Sequence, residues 1–359
     1  MLAQRLYRRA AAVAPRAGVR ALTTTSLMQT RTPSMGDINP SVASIEQFNE
    51  KQRAFREHLV EAQKERGARA FGSQTFTDPS DTPNQSSSQT AAGATASVQS
   101  NEPDRKQGPL TNLIYGTKEG REMEAQMEAS FSQVLARGKY VHSIVFHEVQ
   151  PDKVDEYVKL TGEFYPKMAN TPENKVHLVG SWRTEVGDCD TFGENSFTLH
   201  IWEYQRYEGY HESRHSISHH PEFADFNKKL SKLINSKKIS LMQEFSFWPT
   251  TPPRQLGGIF ELRSYTLHPG NLLEWETHWR RGLKARREVM EGVGAWFVQI
   301  GELNTVHHLW QFANLEERRS RREKSWSVEG WSDTVHKTVP LIQSMQSRIL
   351  IPMPWSPVA

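Results

Sequence analysis

An internal repeat constrains this chain more than any other feature. YVHSIVFHEVQPDKVDEYVKL (Tyr140–Leu160) recurs as GIFELRSYTLHPGNLLEWETH (Gly258–His278). Each reads as a strand, a proline at a helix start, and a helix with an aromatic on its inner face, Tyr157 or Trp275. VGSWRTEVGD (Val179–Asp188) recurs as VGAWFVQIGE (Val293–Glu302), and TLHIWEY (Thr198–Tyr204) as VHHLWQF (Val306–Phe312). LMQEFSFWP (Leu241–Pro249) recurs more loosely as RILIPMPWSP (Arg348–Pro357). A period of roughly 110 residues marks a duplicated domain rather than a solenoid.

In each copy the order is strand, helix, strand, strand, helix, strand. A βαββαβ unit is ferredoxin-like, an antiparallel sheet with both helices on one face. The strands carry few charges on either side, so the other face should be buried as well. The expected fold class is therefore α+β: two tandem ferredoxin-like modules, residues 139–248 and 258–359, packed as a dimeric-α/β-barrel-like pseudo-dimer. Residues 249–257 are the linker between them.

The region before the repeats is different. Residues 1–35 hold Arg5, Arg8, Arg9, Arg16, Arg20 and Arg31 with no acid before Asp37, the pattern of a mitochondrial presequence. Residues 36–70 space Val42, Ile45, Phe48, Phe55 and Leu59 for a helix. Residues 71–109 are rich in Ser, Thr, Gln, Pro and Gly, with too little apolar surface to offset the entropy of ordering, and read as a disordered linker. Residues 110–138 read as a leading helix. The overall hydrophobic content of 36% fits a chain that is only partly packed.

Composition narrows the function. A net charge of +3 predicts no nucleic-acid partner by itself. The single cysteine, Cys189, excludes an intrachain disulfide and a cysteine-based zinc site. No apolar run reaches the roughly 18 residues a spanning helix needs. His211-Glu212-Ser213-Arg214-His215 is an H-E-x-x-H string, which on a helix can hold zinc. However, its counterparts in the second copy are Arg319 and Glu323, and no third ligand follows at the expected spacing. A histidine-rich helix face is the expected reading, with no metal and no catalytic residue.

The repeated motifs ELRSYTLHPGNLLEW (Glu261–Trp275), VHHLWQF and EFSFW (Glu244–Trp248), with TVPLIQSMQSRILIPMPWSP (Thr338–Pro357), resemble the NIPSNAP family from about Lys139 to the C-terminus. The resemblance implies a mitochondrial protein, in the matrix or associated with the inner membrane, whose modules are similar to dimeric α/β barrels. It implies protein partners, autophagy adaptors among them, and a part in mitochondrial quality control (mitophagy). It brings no settled reaction and no cofactor. The leading expectation is thus a non-catalytic binding or recruitment role, and a homo-oligomer stays open.

The alternative is a small-molecule-binding or oxidative enzyme. Its candidate pocket is Glu261, Arg263 and Tyr265 on one strand face, with His308 and Trp310 on another. The competing reading is a mutual ion pair and packed core histidines. The first copy has Ser143, Val145 and His147 at the matching places, so a pocket would differ between halves. The basic runs His278–Val289 and Glu316–Lys324 read as solvated helix faces, with contact to anionic inner-membrane lipid as an alternative. DEYVKL (Asp155–Leu160) fits an adaptor-binding peptide but should turn Tyr157 and Leu160 inward. The hairpin from Gly187 to Trp202 is longer than its counterpart, Gly301–Trp310.

Overall fold

β-branched and aromatic residues favour extended backbone, and every strand expected from the repeat is present. The computed structural model describes residues 32–72, 140–188 and 196–359. Residues 1–31 of the presequence, the 73–109 part of the linker, the leading helix and Cys189 lie outside the described residues. The chain divides into two compact units, residues 1–59 with 132–359, and residues 60–131. Only the helical start of the second is described.

The first unit begins with α1 (Val42–Gly72), which continues into the second. The first half of the repeat runs β1 (Tyr140–Val149), α2 (Val154–Asn170), β2 (Val176–Val186), β3 (Ser196–Gln205), α3 (Arg206–Ser218), α4 (Phe223–Leu230) and β4 (Ile234–Glu244). The second half runs β5 (Ile259–Leu267), α5 (Leu272–Val289), β6 (Glu291–Ile300), β7 (Thr305–Phe312), α6 (Leu315–Ser325), α7 (Trp331–Thr338) and β8 (Ile342–Pro352). The second helix of each copy is thus two helices; in the first copy Pro221, suited to a first helical turn, already predicts a second segment. In the first copy α4 starts at Phe223 rather than at Pro221. His219 N–H closes α3 on the His215 carbonyl, and the chain must turn before helix resumes.

The strands close into one eight-stranded antiparallel barrel in the order β1-β3-β2-β8-β5-β7-β6-β4. Within each half the order repeats: β4-β1-β3-β2, and β8-β5-β7-β6. The halves join where β2 pairs with β8 and β4 pairs with β6. Alternate side chains point into the barrel and pack as one core, with Ile144, Trp182, Ile201, Phe260, Trp296 and Leu309 among them. The glycines of the two VG[SA]W motifs serve this core. A Cβ on Gly180 would fall 2.3 Å from the Trp182 indole, and one on Gly294 would fall 2.5 Å from Trp296. Both lie at register shifts, where the strand bends and the indole folds back over the glycine.

The outward faces are covered by helices. Tyr157, Phe164 and Met168 of α2, with Phe226 and Leu230 of α4, pack on Val145 and Trp202. Trp275, Trp279 and Leu283 of α5, with Trp331 of α7, pack on Tyr265 and Trp310. Helix α1 lies against the second half: Phe48 meets Leu256 and Ala313, and Gln52 and Arg56 donate to Glu291.

An exchange of tryptophans ties the halves together. Beyond β4, Trp248 enters the second half, with its ring centroid 4.5 Å from Trp310 and 6.2 Å from His308. Beyond β8, its repeat counterpart Trp355 enters the first half and stacks on His200 at 6.0 Å. The backbone follows the same rule. Phe245 N–H donates to the Ala295 carbonyl, and Met353 N–H to Ser181, the residue equivalent to Ala295. Residues 249–257 are therefore no loose tether, and Thr250, Arg254 and Leu256 are buried. Trp248→Ala should lower the unfolding free energy by about 3–5 kcal/mol, because a large buried ring leaves a cavity. Urea denaturation measures it, and a loss under about 1 kcal/mol would refute the role given to this ring.

Candidate functional site

In the second half the register of β5 against β7 sets Arg263 opposite His308 and Glu261 opposite Trp310. All five candidate residues, Glu261, Arg263, Tyr265, His308 and Trp310, face the helix layer together. Arg263 donates through Nη1 to Glu261 at 2.9 Å and through Nε to the Tyr265 hydroxyl at 2.7 Å. Arg318 of α6 reaches down to the same carboxylate with two hydrogen bonds, 2.7 and 3.0 Å, and Ser347 adds a third donor at 2.7 Å. Burial alone would raise the Glu261 pKa. The hydrogen bond and charge of Arg318, the charge of Arg263 and the Ser347 hydroxyl outweigh it and hold the group at about 2.

Trp310 Nε1 donates to His308 Nδ1 at 2.7 Å, so that nitrogen accepts and the neutral ring carries its proton on Nε2. Burial, then the charges of Arg263 and Arg286, push the His308 pKa well below its ordinary value. Tyr265 and Trp279 close over the ring at 4.9 and 5.0 Å. Arg286 is buried with its guanidinium 4.1 Å from the Trp331 ring. Its burial, then the charge of Arg322, lower its pKa to about 9. The basic runs are thus not simply solvated faces: Arg286, Arg318 and Arg321 turn inward, Arg321 to pair with Glu317 at 3.0 Å. The sequence reading missed them because a helix period cannot foresee that long side chains reach around an edge.

The first half carries a different polar group at the same places. The Tyr157 hydroxyl meets His147 Nδ1 at 2.7 Å, His200 Nε2 at 2.7 Å and Thr198 Oγ1 at 2.8 Å. His200 Nδ1 in turn meets Ser181 Oγ at 2.8 Å. Burial, then the charge of Lys237, lowers the His147 pKa to about 3. Burial, then His147, pushes His200 well down, and burial raises Tyr157, so these groups stay neutral. As expected for DEYVKL, Tyr157 is fully buried.

Beside this network lies a cavity of about 110 Å³, lined by Phe164, Tyr165, Trp202, Phe226 and Leu230 and bordered by Tyr210, Arg214 and Lys237. Sequence reasoning did not find it. The repeat does hold a signal. Counting seven residues on from Tyr157 and Trp275 pairs Phe164 with Gly282, and the fourth residues of α4 and α7 pair Phe226 with Thr334. The two phenylalanines stack at 3.9 Å and hold their helices a ring's thickness apart. In the second half a Cβ on Gly282 would fall 2.2 Å from Thr334, so those helices touch.

The H-E-x-x-H string lies on α3. Its Glu212 is drawn to Lys175 at 2.8 Å, and His215 stacks on His219 at 4.2 Å. Among the described residues no group of three or more His, Cys, Asp or Glu is placed to hold a metal ion.

Two acid transitions follow. His147 and His307 hold their pKa at about 3, below the ordinary 6.5. The unfolded chain takes up these protons first, so stability should fall as pH drops from about 6.5 toward 3. Thermal melting at a series of pH values checks this, and a flat melting temperature across that range would contradict the buried neutral state. Glu261 stabilises the fold above its ordinary 4.5, and this contribution is lost as pH falls toward 2. Glu261→Gln should therefore cost about 3–5 kcal/mol at pH 7, by leaving buried arginines unpaired. It should also flatten the decline below pH 4.5 in urea unfolding.

The NIPSNAP family model matches residues 260–357, the half that holds the Glu261 cluster. Protein NipSnap homolog 1 of Danio rerio is 40% identical over 219 residues, 61% of this chain and 76% of the relative. Protein NipSnap homolog 2 of Homo sapiens is 38% identical over 219 residues, 61% of this chain and 74% of the relative. A crystal structure of an uncharacterized NIPSNAP-like domain protein from Burkholderia xenovorans is 37% identical, spans 27% of this chain and 87% of that one, and has a TM-score of 0.26. With that identity over three quarters of a relative's length, the chain belongs to the NIPSNAP family.

Proposed function

We propose that this NIPSNAP-family chain is a non-catalytic binding protein of the mitochondrion that recruits protein partners, autophagy adaptors by family resemblance. The observation that supports it most is the closed state of the Glu261 cluster. Glu261, Arg263, Tyr265, His308 and Trp310 direct their hydrogen bonds at one another and at Arg318 and Ser347, beneath a layer of buried indoles. A cluster whose members bond mainly to one another holds strands and helices rigid, and rigid outer faces suit recruitment. On those faces Leu273, Leu315, Trp326 and Val339 are exposed around the second half, and exposed tryptophan is a common anchor of protein interfaces. Arg281, Lys284 and Arg287 of α5 are exposed and offer an accessory contact to anionic inner-membrane lipid.

The repeated strand order supports the architectural part of this reading: two tandem ferredoxin-like modules fused as a pseudo-dimer. The arginine-rich, acid-free residues 1–31 support the location. A second reading, small-molecule binding, is favoured by the cavity of the first half.

Residues 1–35 fused to a fluorescent protein should carry it into mitochondria, and a cytosolic signal would refute the location. Proximity labelling from the full chain, in intact and depolarised mitochondria, should enrich autophagy adaptors, and Trp326→Ala should reduce that labelling without lowering stability. Labelling that never includes them would refute the recruitment role.

A further inference from the structure

We propose that the cavity of the first half is a binding site for a small carboxylate with a single-ring or short branched apolar body. The proposal stands apart from the recruitment reading and rests on other residues. An apolar cavity of about 150 Å³ accepts benzene. The cavity here is about 110 Å³ and open at one side, so it suits a body of about that size and is too small for a long acyl chain. Its walls are mostly aromatic, with Phe164, Tyr165, Trp202 and Phe226 presenting ring faces and edges to an apolar guest.

The mouth sets the sign of the ligand's charge. Arg214 of α3 and Lys237 of β4 border it, and no carboxylate is among the lining residues. Among the described residues neither cation makes an ion pair, whereas Lys167 on a neighbouring helix pairs with Glu222 and Lys229 with Asp225. Two like charges at one opening repel, and partial burial, then Arg214, lowers the Lys237 pKa. A carboxylate between them would neutralise the pair and accept charge-assisted hydrogen bonds. At the inner wall the Tyr204 hydroxyl lies 3.3 Å from Ser143 Oγ, and burial raises that phenol to about 12, so it remains a donor for a polar substituent on the guest.

Among the described residues the equivalent space of the second half is filled. Gly282 and Thr334 bring its helices together, and Trp275, Trp279 and Trp331 fill the layer beneath. The site should therefore occur once per chain.

The test uses the purified full chain and 4-fluorobenzoate, followed by ligand-observed fluorine NMR. Saturable binding at one site per chain is expected. Arg214→Gln combined with Lys237→Gln should weaken it about tenfold or more, since both positions are exposed and the fold should not depend on them. Neutral 4-fluorotoluene should bind with less than about a twofold response to the same pair of changes. Ile217→Trp, which places an indole at the half-buried rim, should abolish binding of both probes. No saturable binding of 4-fluorobenzoate, or binding indifferent to the double substitution, would overturn the proposal. So would displacement of 4-fluorobenzoate by palmitate at lower concentration than by hexanoate, which would point to a lipid chain instead.

Discussion

The exchange of Trp248 and Trp355 is the contact on which the two halves depend. Each ring leaves the half that made it and packs against a histidine of the other: Trp248 fully buried near His308, Trp355 half-buried on His200. Burying an indole outweighs most single contacts in a core, so neither half can keep its own last strand and lose its partner. The pairing of β2 with β8 and β4 with β6 follows from the same crossing. Without it each half would present two open strand edges, which are templates for misassembly. Closure removes those edges, and the interior core of Trp182, Phe260 and Trp296 becomes continuous across the seam.

The symmetry of the repeat then breaks at the helices. A stacked phenylalanine pair spaces α2 from α4, whereas a glycine against a threonine lets α5 and α7 touch. Two positions thus account for a cavity on one side and a filled layer on the other. The polar groups diverge in the same way. A tyrosine between two neutral histidines anchors the first half, and a carboxylate gathered by arginines anchors the second. Both pair most of their buried polar groups beneath helices, where unpaired ones are costly, although among the described residues His147 Nε2 and His308 Nε2 find no partner.

Charge shows why part of the site was hidden from a linear reading. Glu261, Arg263 and Tyr265 alternate along one strand, so their common face was legible. Arg318 was not, because its helix position looks like a solvated surface until the helix is laid over β5. Arg214 and Lys237 were hidden for the opposite reason. They are distant in sequence, and nothing local shows that they border one opening without an acid beside them.

The sequence by itself determined the number and order of strands in each repeat, the aromatic that the first helix of each repeat turns inward, and the family. Those properties follow from local periodicity and from a pattern stated twice. Only the tertiary structure decided that the second covering helix of the second copy is broken in two, that Trp248 and Trp355 change places, and that one half is open while the other is filled. These outcomes depend on distances between helices, set by ring stacking and close approach across elements far apart in the chain, and no periodicity carries them.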